Sequence, residues 1–265
     1  CIRDRADTDG LELTWGNTGA IIALIEKMIR REGIGDLLAD GTKAAAQKIG
    51  KDAHHYAMNA GGQELPMHDG RCDPGYVVHY AVEPSPGKHT VGAQMYYEMY
   101  RLWKKIKSLP KPDKFYFKGS KYVADEGKAI SSATCSKYMN VLNGTGTCIF
   151  GAFLGADRLP LFDWINAATG WTKTPENYLE IGQAVQTLRQ SFNIKHGIDP
   201  RKNIPGPRAT GQPALSAGAN KGRSVDIQQM IRDYWQQFGW DPSNGQPPSE
   251  TMPALVENPT NRTQG

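Results

Sequence analysis

Apolar residues at Ile21, Leu24, Ile25, Met28 and Ile29 recur at helical spacing, and Gly33 follows the basic pair Arg30 and Arg31 as a helix end should. A second helical stretch runs from near Asp36 to Ile49, with Leu37, Leu38, Ala44, Ala45 and Ile49 apolar, and stops at Gly50. Together they predict a helical hairpin. From Gly61 to Lys88 glycine and proline become frequent and no period persists, so the segment reads as ordered loop. Thr90 to Ile106 reads as helical, Lys107 to Lys121 as a Pro- and Lys-rich surface connection, and Ser131 to Leu142 as another helix. The clearest helix opens at Thr174-Pro175, carries Tyr178, Ile181, Val185, Leu188 and Phe192 on one stripe, and ends at Gly197. A Pro/Gly-rich crossing leads to Asn220. Ser224 then caps a last helix using Ile227, Met230, Ile231, Tyr234 and Trp235, and the tail after Trp240 reads as an extended strap. Strand signals are weak and no internal repeat is present, so the fold class is mainly α.

The 265 residues, 39% of them hydrophobic, suffice for one large core or two modest ones. The longest apolar run in a helical stretch, Ala20 to Ile25, is ended by Glu26 and Lys27 far short of the ~20 residues of a membrane span, so no crossing is expected. The chain starts at Cys1 with neither a basic nor an apolar leader, and reads as a piece beginning mid-protein. A net charge of +4 from 31 basic and 27 acidic residues forms no basic block, which argues against a nucleic-acid partner. Cys1, Cys72, Cys135 and Cys148 are too scattered for a disulfide framework and contain no C-x-x-C pair, so a reducing cytoplasm is the simplest setting.

Two segments share a pattern of Asx-x-x-Gly followed by a small or apolar residue: Asp7 to Glu12 (DTDGLE) and Asn143 to Cys148 (NGTGTC). A carboxylate accepts hydrogen bonds from an amidine-like N–H edge, and glycine lets the backbone turn toward a flat heterocycle. A pterin has such an edge. Either copy alone is also an ordinary Asx-Gly turn.

The surrounding residues carry a resemblance. DTDGLELTWGN (7–17), REGIGDLLADG in the hairpin, ELPMHD (64–69), YAVEPSPGKH (80–89), NGTGTCIFGAFLG (143–155), NAATGW (166–171) and the helix of 174–197 resemble, in order, segments of the aldehyde:ferredoxin oxidoreductase family. The likeness spans nearly all of 7–240. It implies the C-terminal helical domains of that fold, with 1–60 the remainder of the second domain and 61–265 the third, and the family's N-terminal β-rich domain lying outside this chain.

The resemblance further implies a tungsten or molybdenum bis-pterin cofactor and a 4Fe–4S cluster. Asp7, Gly10 and Leu11 would contact one pterin, and Asn143, Gly146 and Thr147 the other. The second turn departs from the family pattern, with Asn143 for Asp and Thr147 for Leu, and an amide puts donors where a carboxylate has its second acceptor. Cys148 falls on the cluster's last thiolate, and His89 on an active-site histidine that exchanges a proton near neutral pH. The implied activity is oxidation of aldehydes to carboxylic acids. Electrons would pass to ferredoxin or an electron-transfer subunit, within a homo-oligomer or multi-subunit complex. A tungsten-dependent benzoyl-CoA (aryl-CoA) reductase subunit and a noncatalytic helical scaffold are the rival readings.

Other candidates stay open. His68 reads equally as loop support or as catalytic, whereas His54, His55, His79 and His196 show no metal-ligand spacing. Tyr96, Tyr97 and Tyr100 suit either a substrate funnel or a buried helix face. Trp103, Trp164, Trp171, Trp235 and Trp240 read as core or domain-contact residues.

Overall fold

The computed structural model of the chain describes residues 7–112, 121–155 and 158–249. The predicted hairpin is present but broken. Helix α1 (Thr18–Arg30) is capped by Asn17, whose side chain accepts the Ala20 N–H at 3.2 Å. The stretch to Ile49 forms two helices, α2 (Ile34–Ala39) and α3 (Thr42–Ile49), because Gly41 between them takes φ +92°, which a helix interior does not admit. The apolar stripe of α1 is not core: Ile21, Ile22, Ile25 and Ile29 are 48–77% exposed, and only Ala20 is buried. The reason is that α2 packs on one side of α1, so closely that a Cβ on Gly35 would meet the Lys27 carbonyl carbon at 2.2 Å. Leu24 and Met28 line an open groove of about 490 Å³ with Leu38, Ala45 and Ile49.

The segment expected to be loop contains the most buried helix of the fold. After a two-residue antiparallel pair, β1 (Asn59–Ala60) with β2 (Gln63–Glu64), helix α4 (Pro74–Val82) starts at an Asp73 cap and buries all nine of its residues. A helix covered all round needs no polar face and so shows no amphipathic period. Between Thr90 and Ile106 the expected helix is two single turns, α5 (Tyr96–Met99) and α6 (Leu102–Lys105), separated by Arg101 at φ +48°. Tyr96, Tyr97 and Tyr100 are buried in the core rather than open to a funnel. The Lys107–Lys121 connection lies partly outside the described residues.

Helix α7 (Glu126–Gly144) begins with Asp125 accepting the Lys128 N–H, and is followed by α8 (Ile149–Gly155) and α9 (Leu161–Thr169). Helix α10 (Pro175–Lys195) has the expected start, a Thr174–Asn177 capping box with Pro175 in the first turn. Its buried face is mostly polar, however: Gly182, Gln186, Thr187, Gln190 and Ser191 join Tyr178 against the core, while Val185 and Phe192 of the predicted stripe are exposed. The crossing holds two 3-10 turns, Pro200–Asn203 and Pro207–Thr210. Helix α11 (Ile227–Gln236) buries the five predicted residues but is capped by Asp226, not Ser224. One core, built around Val77, Tyr80, Met139, Leu142, Tyr178 and Tyr234, joins α4, α7, α10 and α11. Trp235 and Trp240 belong to it, while Trp164 and Trp171 are about half-exposed. The tail beyond residue 249 lies outside the described residues. Among those described, the strands are two residues long and the fold is mainly α.

Candidate functional site

The first glycine turn precedes α1. Asp7 is exposed, and its Oδ1 accepts the Asp9 N–H at 2.9 Å. Gly10 sits at φ +73°, and the Leu11 N–H closes the turn on the Thr8 carbonyl at 3.0 Å. Asp9, which the sequence reading passed over, anchors it. Its Oδ2 accepts the Ile34 N–H at 2.8 Å and the Lys27 ammonium at 3.1 Å, and these hold its carboxyl below the usual range. Asp7 is thus an exposed carboxylate on a turn whose base is fixed to α1 and α2 through Asp9.

The second turn joins α7 to α8. Asn143 is exposed in the last turn of α7, and its carbonyl accepts the Gly146 N–H at 3.1 Å. Gly146 takes φ +72°, close to the value at Gly10, and a Cβ on either glycine would meet nothing within 4 Å. Thr147 Oγ1 lies 2.9 Å from Thr145 Oγ1. Cys148 stands exposed just before α8, and the N–H groups of Gly151 and Phe150 pull its thiol below the ordinary value. That is the electrostatic setting a thiolate ligand needs.

His89 follows α4, half-buried in a cluster of rings. Its centroid is 4.3 Å from that of His68 and 5.5 Å from that of Tyr76, and the Tyr96 hydroxyl donates to its carbonyl at 3.1 Å. Burial, and then the charge of His68, lower the His89 pKa, so the imidazole is neutral at pH 7. The structure therefore joins His89 to His68. No hydrogen bond or ring contact of His89 reaches either glycine turn among the described residues.

The loop between α4 and His89 is tethered by Glu83, the second residue the sequence reading missed. Glu83 is wholly buried, accepts from Ser136 Oγ at 3.0 Å and Gln186 Nε2 at 3.1 Å, and faces Arg189 Nη1 at 3.4 Å. Arg189 also reaches Ser85 Oγ, and Asn193 donates to the Pro84 carbonyl. Burial raises the Glu83 pKa despite Arg189. A lone acid closing an otherwise apolar helix, just before Pro84, was the available signal.

Residues 2–255 match the family model described as aldehyde ferredoxin oxidoreductase, domains 2 and 3. The chain belongs to the aldehyde ferredoxin oxidoreductase family. It is 30% identical over 255 residues to the tungsten-containing aldehyde ferredoxin oxidoreductase of Pyrococcus furiosus, covering 96% of this chain and 39% of that protein. It is also 28% identical over 260 residues to an aliphatic sulfonate oxidoreductase, WOR-like subunit, of the same organism, covering 93% of this chain and 36% of the relative. The chain thus spans about two fifths of the length of these relatives. In fold it is similar to the active site complex BamBC of benzoyl coenzyme A reductase in complex with 1,5-dienoyl-CoA, with a TM-score of 0.61, 21% identity and coverage of 93% of this chain and 40% of that one.

For this aldehyde ferredoxin oxidoreductase family member, the two turns fit a flat, N–H-bearing heterocycle. Each presents an exposed Asx side chain beside a left-handed glycine that opens on empty space. Among the described residues no group of three or more His, Cys, Asp or Glu side chains is gathered to hold a metal, and no helix is long and apolar enough to cross a membrane.

Proposed function

We propose that the protein carrying this chain oxidises aldehydes to carboxylic acids and passes the electrons to ferredoxin or an electron-transfer subunit. The observation that carries the reading is the matched pair of open turns, at Gly10 and Gly146, in a chain 30% identical to a tungsten-containing aldehyde ferredoxin oxidoreductase. Residues 1–60 would complete the family's second domain and 61–265 form its third. The assembly is a cytoplasmic homo-oligomer or multi-subunit complex.

When bound, a tungsten or molybdenum bis-pterin supplies the two-electron redox chemistry, and a 4Fe–4S cluster carries the electrons onward. Asp7, Gly10 and Leu11 would hold one pterin, and Asn143, Gly146 and Thr147 the other. Because Asn143 is an amide, it takes part as donor and acceptor, where Asp7 only accepts. Cys148 would give the cluster one thiolate. Aldehyde and water yield acid, two electrons and two protons, and neutral His89 accepts one of those protons at a ring nitrogen. Glu83 and Arg189 position His89 by fixing residues 83–85 against α7 and α10.

The test is elemental analysis and turnover of the complete protein. Tungsten or molybdenum with about four irons per chain is expected, with oxidation of aldehydes by a low-potential dye. Cys148→Ala should abolish the cluster's electron paramagnetic resonance. Turnover of aryl-CoA thioesters alone would sink the aldehyde reading in favour of an aryl-CoA reductase. Absence of both metals would leave a scaffold.

A further inference from the structure

The His68 ring that packs on His89 also lines a second feature. An open cavity of about 290 Å³ lies between the loop of residues 65–71 and the 3-10 turn at Pro207–Thr210. Its apolar wall is Met58, Leu65 and Met67, and its polar wall includes His68 and Arg208.

The charges there do not cancel. Asp69 and Arg71 also line the cavity, but they are locked together: Arg71 Nε donates to Asp69 Oδ1 and Nη2 to Oδ2, each at 2.9 Å, and Asn220 binds the same Oδ2 at 3.1 Å. Arg208 has no carboxylate partner among the described residues. Its guanidinium carbon stands 4.8 Å from the Tyr56 ring centroid, a cation–π contact, and its N–H groups make no hydrogen bond among the described residues. The turn beneath it is fixed, since Thr210 Oγ1 and the Gln212 N–H both donate to the Pro207 carbonyl at 2.9 Å and Ala209 is buried.

A planar cation beside an apolar wall selects a planar anion with a hydrocarbon body. The volume sits at the lower edge of small-molecule pockets, which run from ~300 to 1,000 Å³, so the part of the ligand it encloses is small. We propose that this cavity binds a small monocarboxylate, with its carboxylate on Arg208 and its hydrocarbon against Met58, Leu65 and Met67. Met67 is fully exposed, and its unbranched thioether is free to pack on the bound hydrocarbon. The proposal rests on the aldehyde reading for what the carboxylate is, the acid that aldehyde oxidation releases, held beside the His68–His89 pair.

The complete protein is titrated calorimetrically with benzoate and with benzyl alcohol, as wild type and as Arg208→Gln. Benzoate should bind at least about tenfold more tightly than benzyl alcohol, and Arg208→Gln should lose at least about tenfold in benzoate affinity. Thermal unfolding of the exposed-site variant serves as the control for folding. Benzoate bound equally by wild type and Arg208→Gln, or no more tightly than benzyl alcohol, overturns the site even if aldehydes are oxidised. Arg208-dependent benzoate binding in a protein that oxidises no aldehyde supports the site and removes only the product assignment.

Discussion

His79 and His89 lie ten residues apart and are both held toward the neutral form, but they answer to different neighbours. His79 is fully buried, its Nδ1 2.9 Å from the Gly75 carbonyl and its Nε2 without a well-formed hydrogen bond among the described residues, and burial pulls its pKa down to about 4. It stays neutral throughout the physiological range. His89 is lowered first by burial and then by the charge of His68, with Tyr76 and Tyr96 as its other titratable neighbours and the Lys88 side chain exposed beside it. Only the second cause can be removed without opening the core. His68→Gln takes away a positive charge that opposes protonation, so the His89 pKa should rise while staying below its ordinary value, because the burial remains. If neutral His89 accepts the proton, the acid limb of kcat/KM moves to higher pH in step. Histidine ring NMR titration of the complete protein, alongside its pH–rate profile, checks this. An unmoved His89 titration would mean that the two rings pack without communicating. The motif singled out His89 in the sequence as a candidate. Its coupling to His68 was not legible there, since 21 residues and the whole of α4 separate them.

At the scale of elements, the contact that frames the candidate site is α7 against α10. Gly182 makes it: a Cβ there would lie 2.0 Å from the Lys137 carbonyl oxygen and 2.7 Å from its carbon, so the helices touch backbone to backbone. The neighbouring positions spend this closeness on polar groups. Asn140 donates to Gln186 Oε1 at 2.8 Å, Gln186 to Glu83 and Tyr234, and Tyr234 to Ser136 at 2.9 Å. Gly182→Ala should therefore push the helices apart and strain this network, destabilising the fold by about 1–3 kcal/mol. Denaturant unfolding measures the effect. A stability within about 0.5 kcal/mol of wild type would show that the helices yield freely. The apolar stripe at Val185, Leu188 and Phe192 concealed this face in the sequence. Periodicity marks where hydrophobic residues fall, whereas glycine and amides form a contact surface with no hydrophobic signature. The same limit hid α4, which is apolar all round.

For the whole molecule, local order in the sequence disclosed the two glycine turns and the mainly helical class, but not what each surface meets. The exposed isoleucines of α1 show the difference: their spacing marked a face, and only the tertiary arrangement shows that α2 leaves that face uncovered. Cys148 poses the same question for cofactor assembly. A 4Fe–4S cluster takes four thiolates. Of the four cysteines in the sequence, Cys135 is fully buried with its thiol raised by burial, Cys72 is exposed in the loop before α4, and Cys1 lies outside the described residues. At Cys148 the N–H groups of Gly151 and Phe150 lower the thiol, whereas at Cys135 burial outweighs the Tyr97 N–H. If Cys148 is one ligand of a cluster completed by residues beyond this chain, the 265 residues alone, reconstituted anaerobically with iron and sulfide, should show no 4Fe–4S resonance. The complete protein should show it and lose it on Cys148→Ala. A cluster formed by the 265 residues alone would mean that local cysteines suffice, and would detach Cys148 from the role proposed for it.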